Sequence, residues 1–265
     1  MQFSDLMAQC RETGAAHNIP GGWGQGRATF GGLVAAMLYE RMAAEVDAGS
    51  SLRALTVSFV APATSGEVEL RSEILRAGRS VTQVEGRIHQ GGAPVLAALA
   101  SFGAPRSSAT ALQPANAPAT AAAEQGQALP YLEGLVPEFT QKFDYRITEG
   151  QLPFSGSKET VLGGWVRFSE PGDASAPVGI GHLLALIDAW PPVLLPMLSQ
   201  PAPTSSLTWN LEFIEPMPAF SAGDWWRYSA ELEQAADGYG VAGARLWNPD
   251  GKLVAFSRQA ITVFA

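Results

Sequence analysis

A single cysteine, Cys10, stands among the 265 residues. One thiol excludes a disulfide framework within the chain and argues against a zinc site. The histidines are also few: His17, His89 and His182 are scattered, without metal-ligand spacing. No metal and no cofactor are therefore expected. Basic residues number 17 against 25 acidic ones, for a formal net charge of −8, so the basic face of a general nucleic-acid binder is missing. The N-terminus lacks an apolar run of signal-peptide type. The most apolar stretch, 180–198, is broken by Asp188, Pro191, Pro192 and Pro196, so no membrane span is expected. These absences point to a soluble, cytoplasmic protein. Familiar catalytic and phosphate-binding motifs are absent too. No G-x-S-x-G elbow occurs. The glycine-dense stretch 20–32 fails the dinucleotide pattern, because Gly22 and Gly24 are followed by Arg27 where glycine is required. It also fails as a P-loop, since no G-K-[ST] follows Gly31. Tight backbone approach, which only glycine permits, is the simpler role for it.

What is present is a packed core, with 46% hydrophobic residues, long enough for one large or two ordinary domains. A short helix is predicted over 5–12 and a second over 33–46. Period-two alternation then takes over. Leu55, Val57 and Phe59 alternate with Thr56 and Ser58, and Val68, Leu70 and Ile74 with charged neighbours. Such runs are half-buried antiparallel strands. Further strands are predicted at 81–89 and 95–102, with turns at Gly78 and Gly91–Gly92. Residues 104–130 have the alanine- and proline-rich composition of a linker, with an alanine-rich helix as an option at 120–127. Beyond it the order repeats: strands at 139–147 and 161–168, a helix in 178–192, then strands at 207–213, 225–232, 239–247 and 253–264. Asn248–Gly251 is a hairpin turn.

Registering the two halves supports duplication. Gly31 pairs with Gly181 at an offset of 150, F-V-A-P ending at Pro62 with F-I-E-P ending at Pro216 at 154, and Val95 with Val254 at 159. The drift is what short insertions produce.

One acid stands out. The helix in 178–192 is apolar nearly all round, so it belongs in the interior. Yet Asp188 lies in its last turn, where the macrodipole opposes an anion, and no lysine or arginine lies in the stretch. A buried acid without a cation is a candidate for chemistry. In the register its counterpart is Leu38, so the scaffold does not require the charge.

The segments F-G-G-L-V-A-A-M-L (30–38), L-T-V-S-F-V-A-P (55–62), L-I-D-A-W (186–190), L-T-W-N-L-E-F (207–213) and D-G-K-L-V-A-F-S-R-Q (250–259), in this order, resemble the double-hotdog acyl-CoA thioesterases of the type-II, TesB-like family. The resemblance implies an α+β tandem hotdog, with two antiparallel sheets each wrapped around a central helix. It implies an N-terminal repeat over 1–105 without catalytic residues, a linker over 106–135 and a catalytic repeat over 136–265. The implied reaction is hydrolysis of acyl-CoA to free acid and CoA. The implied catalytic residues are Asp188, Thr208 and Gln259, which would activate a water and need no side-chain nucleophile. Helix-start residues Gly31, Gly32, Gly181 and His182 are expected at the substrate, and homodimerisation is an expectation of the same kind. Alternation places Thr208 with Asn210 and Glu212, opposite Trp209, Leu211 and Phe213, so a site using it would lie where the halves meet. In the other repeat Thr208 corresponds to Ala54 and Gln259 to Ala100. Arg71, Arg76, Arg79 and Arg87 fall in one hairpin, either facing solvent or meeting the phosphates of coenzyme A. Two other readings remain: a non-catalytic acyl-thioester or lipid-binding module, and a hotdog enoyl-thioester hydratase or dehydratase, whose aspartate–histidine motif is missing.

Overall fold

The structure is a computed structural model, and it describes residues 1–14, 16–217 and 219–264. Helix α1 (Phe3–Cys10) opens the chain, followed by β1 (His17–Ile19) and a small ribbon of β2 (Gly24–Gln25) and β3 (Ala28–Thr29). Helix α2 (Gly31–Ala43) leads to β4 (Ser51–Phe59), β5 (Gly66–Ala77), β6 (Val81–Gln90) and β7 (Ala93–Gly103). After the alanine-rich segment come β8 (Gln127–Ala128), β9 (Phe143–Glu149), β10 (Val161–Phe168), the four-residue α3 (Pro171–Ala174) and α4 (Ile180–Asp188). Strands β11 (Thr204–Phe213), β12 (Trp226–Ala236), β13 (Tyr239–Trp247) and β14 (Leu253–Val263) complete the chain.

The two sheets expected from the resemblance are not separate. Twelve strands form one antiparallel sheet in the order β1-β5-β6-β7-β4-β11-β14-β13-β12-β10-β9-β8. The join is β4 against β11, where Thr208 faces Ser58, Asn210 faces Thr56 and Glu212 faces Ala54. Shifting either strand by 154 residues maps this ladder onto itself, so an approximate two-fold axis passes through its centre. There Thr56 Oγ1 donates to its own counterpart, Asn210 Oδ1, at 3.0 Å. Pairing copies edge to edge removes the free edge that each meander would otherwise expose.

Both central helices lie inside this sheet. Helix α2 buries Leu33, Val34, Met37 and Leu38, and α4 buries Leu183, Leu184, Leu186 and Ile187. The body of α4 is apolar on all faces and has no solvent side, so it packs on α2 as well as on the strands. Glycine sets how closely. A Cβ on Gly32 would lie 3.1 Å from Ala185 Cα and 2.5 Å from the Phe30 ring.

Element ends differ from the predicted ones where distant residues decide them. Helix α1 starts at Phe3 rather than residue 5 because Asp173 Oδ1 accepts from the Phe3 amide at 2.7 Å, a cap supplied from across the chain. Residues predicted as the start of the strand at 139 form a 3-10 turn, Glu138–Lys142, before β9 begins. The alanine-rich stretch makes only the short 3-10 turn Ala123–Gln125, and its neighbours lie along the second half: Trp165 Nε1 donates to the Ala121 carbonyl at 2.9 Å and the Ala117 amide to that of Gly251 at 2.8 Å. The hairpin turn at 248–251 forms, with Asn248 Oδ1 accepting from the amides of Asp250 and Lys252.

The helix contact is open to test. Gly32→Ala forces a methyl against the backbone of α4, and overpacking of this kind costs about 1–3 kcal/mol. Urea denaturation is expected to show that loss as a lowered midpoint; an unchanged midpoint would mean that the helices are free to move apart.

Candidate active site

Asp188 ends α4, and its surroundings come from both repeats. Its Oδ1 accepts from Gln259 Nε2 on β14 at 2.8 Å. The backbone amide of Gly32, in the first turn of α2, also hydrogen-bonds to the carboxylate. Gly31 lies so close that a Cβ there would be 2.8 Å from Asp188 Oδ2 and 3.0 Å from the ring of Phe59 on β4. The acid is therefore opposed by the dipole of its own helix but faces the positive end of the neighbouring one. First-turn amides of a helix have no partner within it, and here the side chain of another helix supplies one. Burial still dominates. It pushes the Asp188 carboxyl up to about 7, against the smaller opposing effects of the Gln259 and Gly32 hydrogen bonds. An acid at that value is half protonated near neutrality, which suits proton transfer.

Gln259 reaches the acid because of strand register. It pairs with Trp209 on β11 and Ala242 on β13, as Ala100 in the other repeat pairs with Leu55 and Val84. Trp209 is fully buried, with its indole Nε1 donating to Ser257 Oγ at 2.8 Å, so this face of β11 and β14 points inward.

Thr208, the third residue expected, is not on that face. It is exposed and pairs with Ala260 and Ser58. The ladder between β11 and β14 shifts between Ser206 and Thr208, leaving Leu207 as the extra residue of a bulge. Leu207 and Thr208 are both exposed, and the inner face resumes on the other side of the bulge with Ser206, which registers with Ile261. The first repeat has the same bulge, between Leu52 and Ala54, and there the residue at the place of Ser206 is Leu52, 2% exposed. Ser206 is the hydroxyl that strand alternation alone misses. Alternation runs straight through a bulge, and the signal that locates it is the matching irregularity in the other copy.

The glycines and histidine expected at the substrate divide between two places. Gly31 and Gly32 are at Asp188. Gly181 and His182 are at the opposite end of α4, away from Asp188. A Cβ on Gly181 would meet Met7 Sδ at 3.2 Å and Glu40 Oε1 at 3.3 Å, which is close helix packing. His182 Nδ1 accepts from the Gly179 amide at 3.2 Å, which leaves Nε2 to donate to Ser4 Oγ at 3.1 Å. Burial lowers its pKa to about 4, so it is a neutral ring fixed between Phe3 and Phe168. Among the described residues no histidine hydrogen-bonds to Asp188, whose side-chain partner is Gln259. In the arginine hairpin, Arg71 is paired with Glu69 at 2.7 Å and Arg87 with Glu85. Among the described residues no group of three or more His, Cys, Asp or Glu could hold a metal ion, and no helix is long and apolar enough to cross a membrane.

The Asp188 shift has a consequence for stability. Its folded value lies above the unfolded one, so between about pH 4 and 7 the native state holds a proton that the unfolded chain releases. The contribution of this group to stability is therefore greatest at acid pH, falls as pH rises through that window and is constant above it. Asp188→Asn removes the loss. Thermal melts are expected to show the variant gaining most over the wild type at pH 8 and little near pH 4; a difference independent of pH would contradict the shift.

Family models for the N-terminal and C-terminal domains of acyl-CoA thioesterase match residues 19–103 and 113–263. A hotdog-fold protein from Alicyclobacillus acidocaldarius is similar in structure, at a TM-score of 0.84 and 21% identity over 98% of each chain. A putative thioesterase II from Thermobifida fusca gives 0.82 and 22%, over 98% of this chain and 97% of that one. An acyl-CoA thioesterase II, TesB2, from Mycobacterium marinum gives 0.69 and 19%, over 89% of each. No curated protein matches the chain at a significant level. At such identities the structural likeness speaks for the hotdog fold, and the two family models carry the rest: this chain is a thioesterase and belongs to the TesB-like, double-hotdog acyl-CoA thioesterase family.

Proposed function

We propose that the chain hydrolyses acyl-CoA thioesters with Asp188 as the general base for water, Gln259 holding that base and Ser206 supplying the hydroxyl. The observation that carries this reading is the 2.8 Å hydrogen bond from Gln259 to Asp188 at the start of α2. The carboxylate takes a proton from water as the water oxygen attacks the thioester carbon. Negative charge then develops on the carbonyl oxygen. The remaining first-turn amides of α2, that of Gly31 foremost, suit that charge, because a helix start presents unpaired N–H groups and a positive dipole end. When the tetrahedral intermediate collapses, the C–S bond breaks and the proton on Asp188 passes to the departing sulfur. Acid and free thiol result, the base is restored, and no residue is acylated.

In this reading the C-terminal repeat supplies the proton chemistry. The N-terminal repeat, residues 1–105, gives the helix start and the Phe59 wall. Thr208, on the outer face, takes no direct part.

Thiol release from acyl-CoA, followed in single-residue variants, separates the roles. Asp188→Asn is expected to lower kcat roughly 100-fold or more, the scale of lost general-base catalysis. Ser206→Ala is expected to lower it about tenfold, and Thr208→Ala to leave it near wild type, since exposed substitutions perturb little. The reverse pattern for Ser206 and Thr208 would restore the trio implied by the resemblance, and unchanged turnover in Asp188→Asn would remove the base.

A further inference from the structure

The two copies within the chain serve as their own comparison. Several of the interior positions at which they differ are Asp188 and residues on the elements around it. Leu38 becomes Asp188, Ala100 becomes Gln259 and Leu52 becomes Ser206. Two more belong to the same group. At the offset of the helices Trp190 stands where the first repeat has Glu40. In strand register Tyr228 stands where it has Leu70, since Tyr228 pairs with Leu246 as Leu70 pairs with Ile88. The scaffold thus requires neither ring.

These rings pack on each other next to the acid. Trp190, two residues beyond Asp188, stacks on Tyr228 with centroids 5.1 Å apart and planes 10° apart. Tyr145 meets the indole edge-on at 6.0 Å, and its hydroxyl donates to the Ala189 carbonyl at 3.0 Å. All three are at most 9% exposed. On the same strand as Tyr228, Leu232 and, from the loop after α4, Leu194 close on the Gly240 backbone, at 3.5 and 3.1 Å from where its Cβ would lie. The loop that carries Leu194 is itself tied down, by bonds from the amides of Phe154, Gly156 and Ser157 to the carbonyls of Leu195, Leu198 and Pro196. Toward α2 the interior is filled by Phe30, stacked on Phe139 at 4.1 Å and edge-on to Phe143 at 5.9 Å. Rings in contact at these spacings leave no room for a methylene chain between them.

We propose that the acyl group of the substrate is short, and that Trp190 stacked on Tyr228 is the wall that sets its length. The proposal rests on the thioesterase reading of Asp188. An acyl chain held at the carboxylate runs into the indole after a few carbons, and a longer one must displace a buried stacked pair. Removing the indole opens space beside Tyr228 and Tyr145, and each methylene then accommodated improves binding.

Wild-type kcat/KM for thiol release, measured from acetyl- through butyryl-, hexanoyl- and dodecanoyl- to palmitoyl-CoA, tests the wall without any variant. The expected profile peaks at or below hexanoyl and falls at least about tenfold by dodecanoyl. In Trp190→Ala the peak moves to longer chains, while Trp190→Phe, which keeps a stackable ring, stays close to the wild-type profile. Equal wild-type efficiency on butyryl and palmitoyl thioesters would overturn the wall and leave the thioesterase reading standing. So would a Trp190→Ala enzyme slowed by one factor at every length. Release of thiol from no acyl-CoA of any length would instead overturn the reading of Asp188, and the wall with it.

Discussion

The structure depends on how closely the start of α2 can approach the end of α4. Gly31 and Gly32 remove the side chains that would hold the helices apart, and a Cβ at either would collide with the other helix or its acid. That approach resolves the electrostatic conflict at Asp188. Its own helix ends there with exposed carbonyl dipoles, while the neighbouring helix begins there with unpaired amides. Without the contact the acid would have only Gln259 as partner. With it, the carboxyl is held at a value near neutrality, neither firmly charged nor firmly neutral. The acid and Gln259 lie in one repeat, and the helix start that the acid faces lies in the other.

Duplication explains why such an arrangement is available. The sheet joins its halves across the β4–β11 ladder, and the same bulge recurs in each copy. One frame therefore offers two equivalent interior positions. The first is filled with Leu38, Leu52 and Ala100, all at most 2% exposed, and has become core. The second carries an acid, an amide and a hydroxyl on the same frame. The core of the first copy supplies stability that the polar second copy lacks, since buried polar groups without full partners are costly.

Much of this was legible in the sequence. The period-two runs, the Asn248–Gly251 turn and the drifting offset between halves gave the strands and the duplication, because these features are local or depend on self-comparison. The misplaced acid was legible for the same reason: a helix apolar on all sides has no natural place for Asp188. What could not be read was set by contacts distant in sequence. The cap on α1 comes from Asp173, and the fusion of two expected sheets into one depends on two strands about 150 residues apart finding each other. The bulge at Leu207 turned Ser206 to the inner face, since alternation assumes an uninterrupted ladder and would keep it beside Thr208 on the outer one. The bond that ties the His182 ring to Ser4 on α1 could not be read either, since the two are 178 residues apart.

Burial between two helices lets Asp188 hold its proton near neutrality. The most direct measurement is a carbon-13 NMR titration of the aspartate carboxyls, with Asp188→Asn used to assign the resonance. The signal lost in the variant is expected to titrate at about 7 in the wild type. A signal titrating close to the ordinary 3.8 of a free aspartate would show a solvated carboxylate and contradict it.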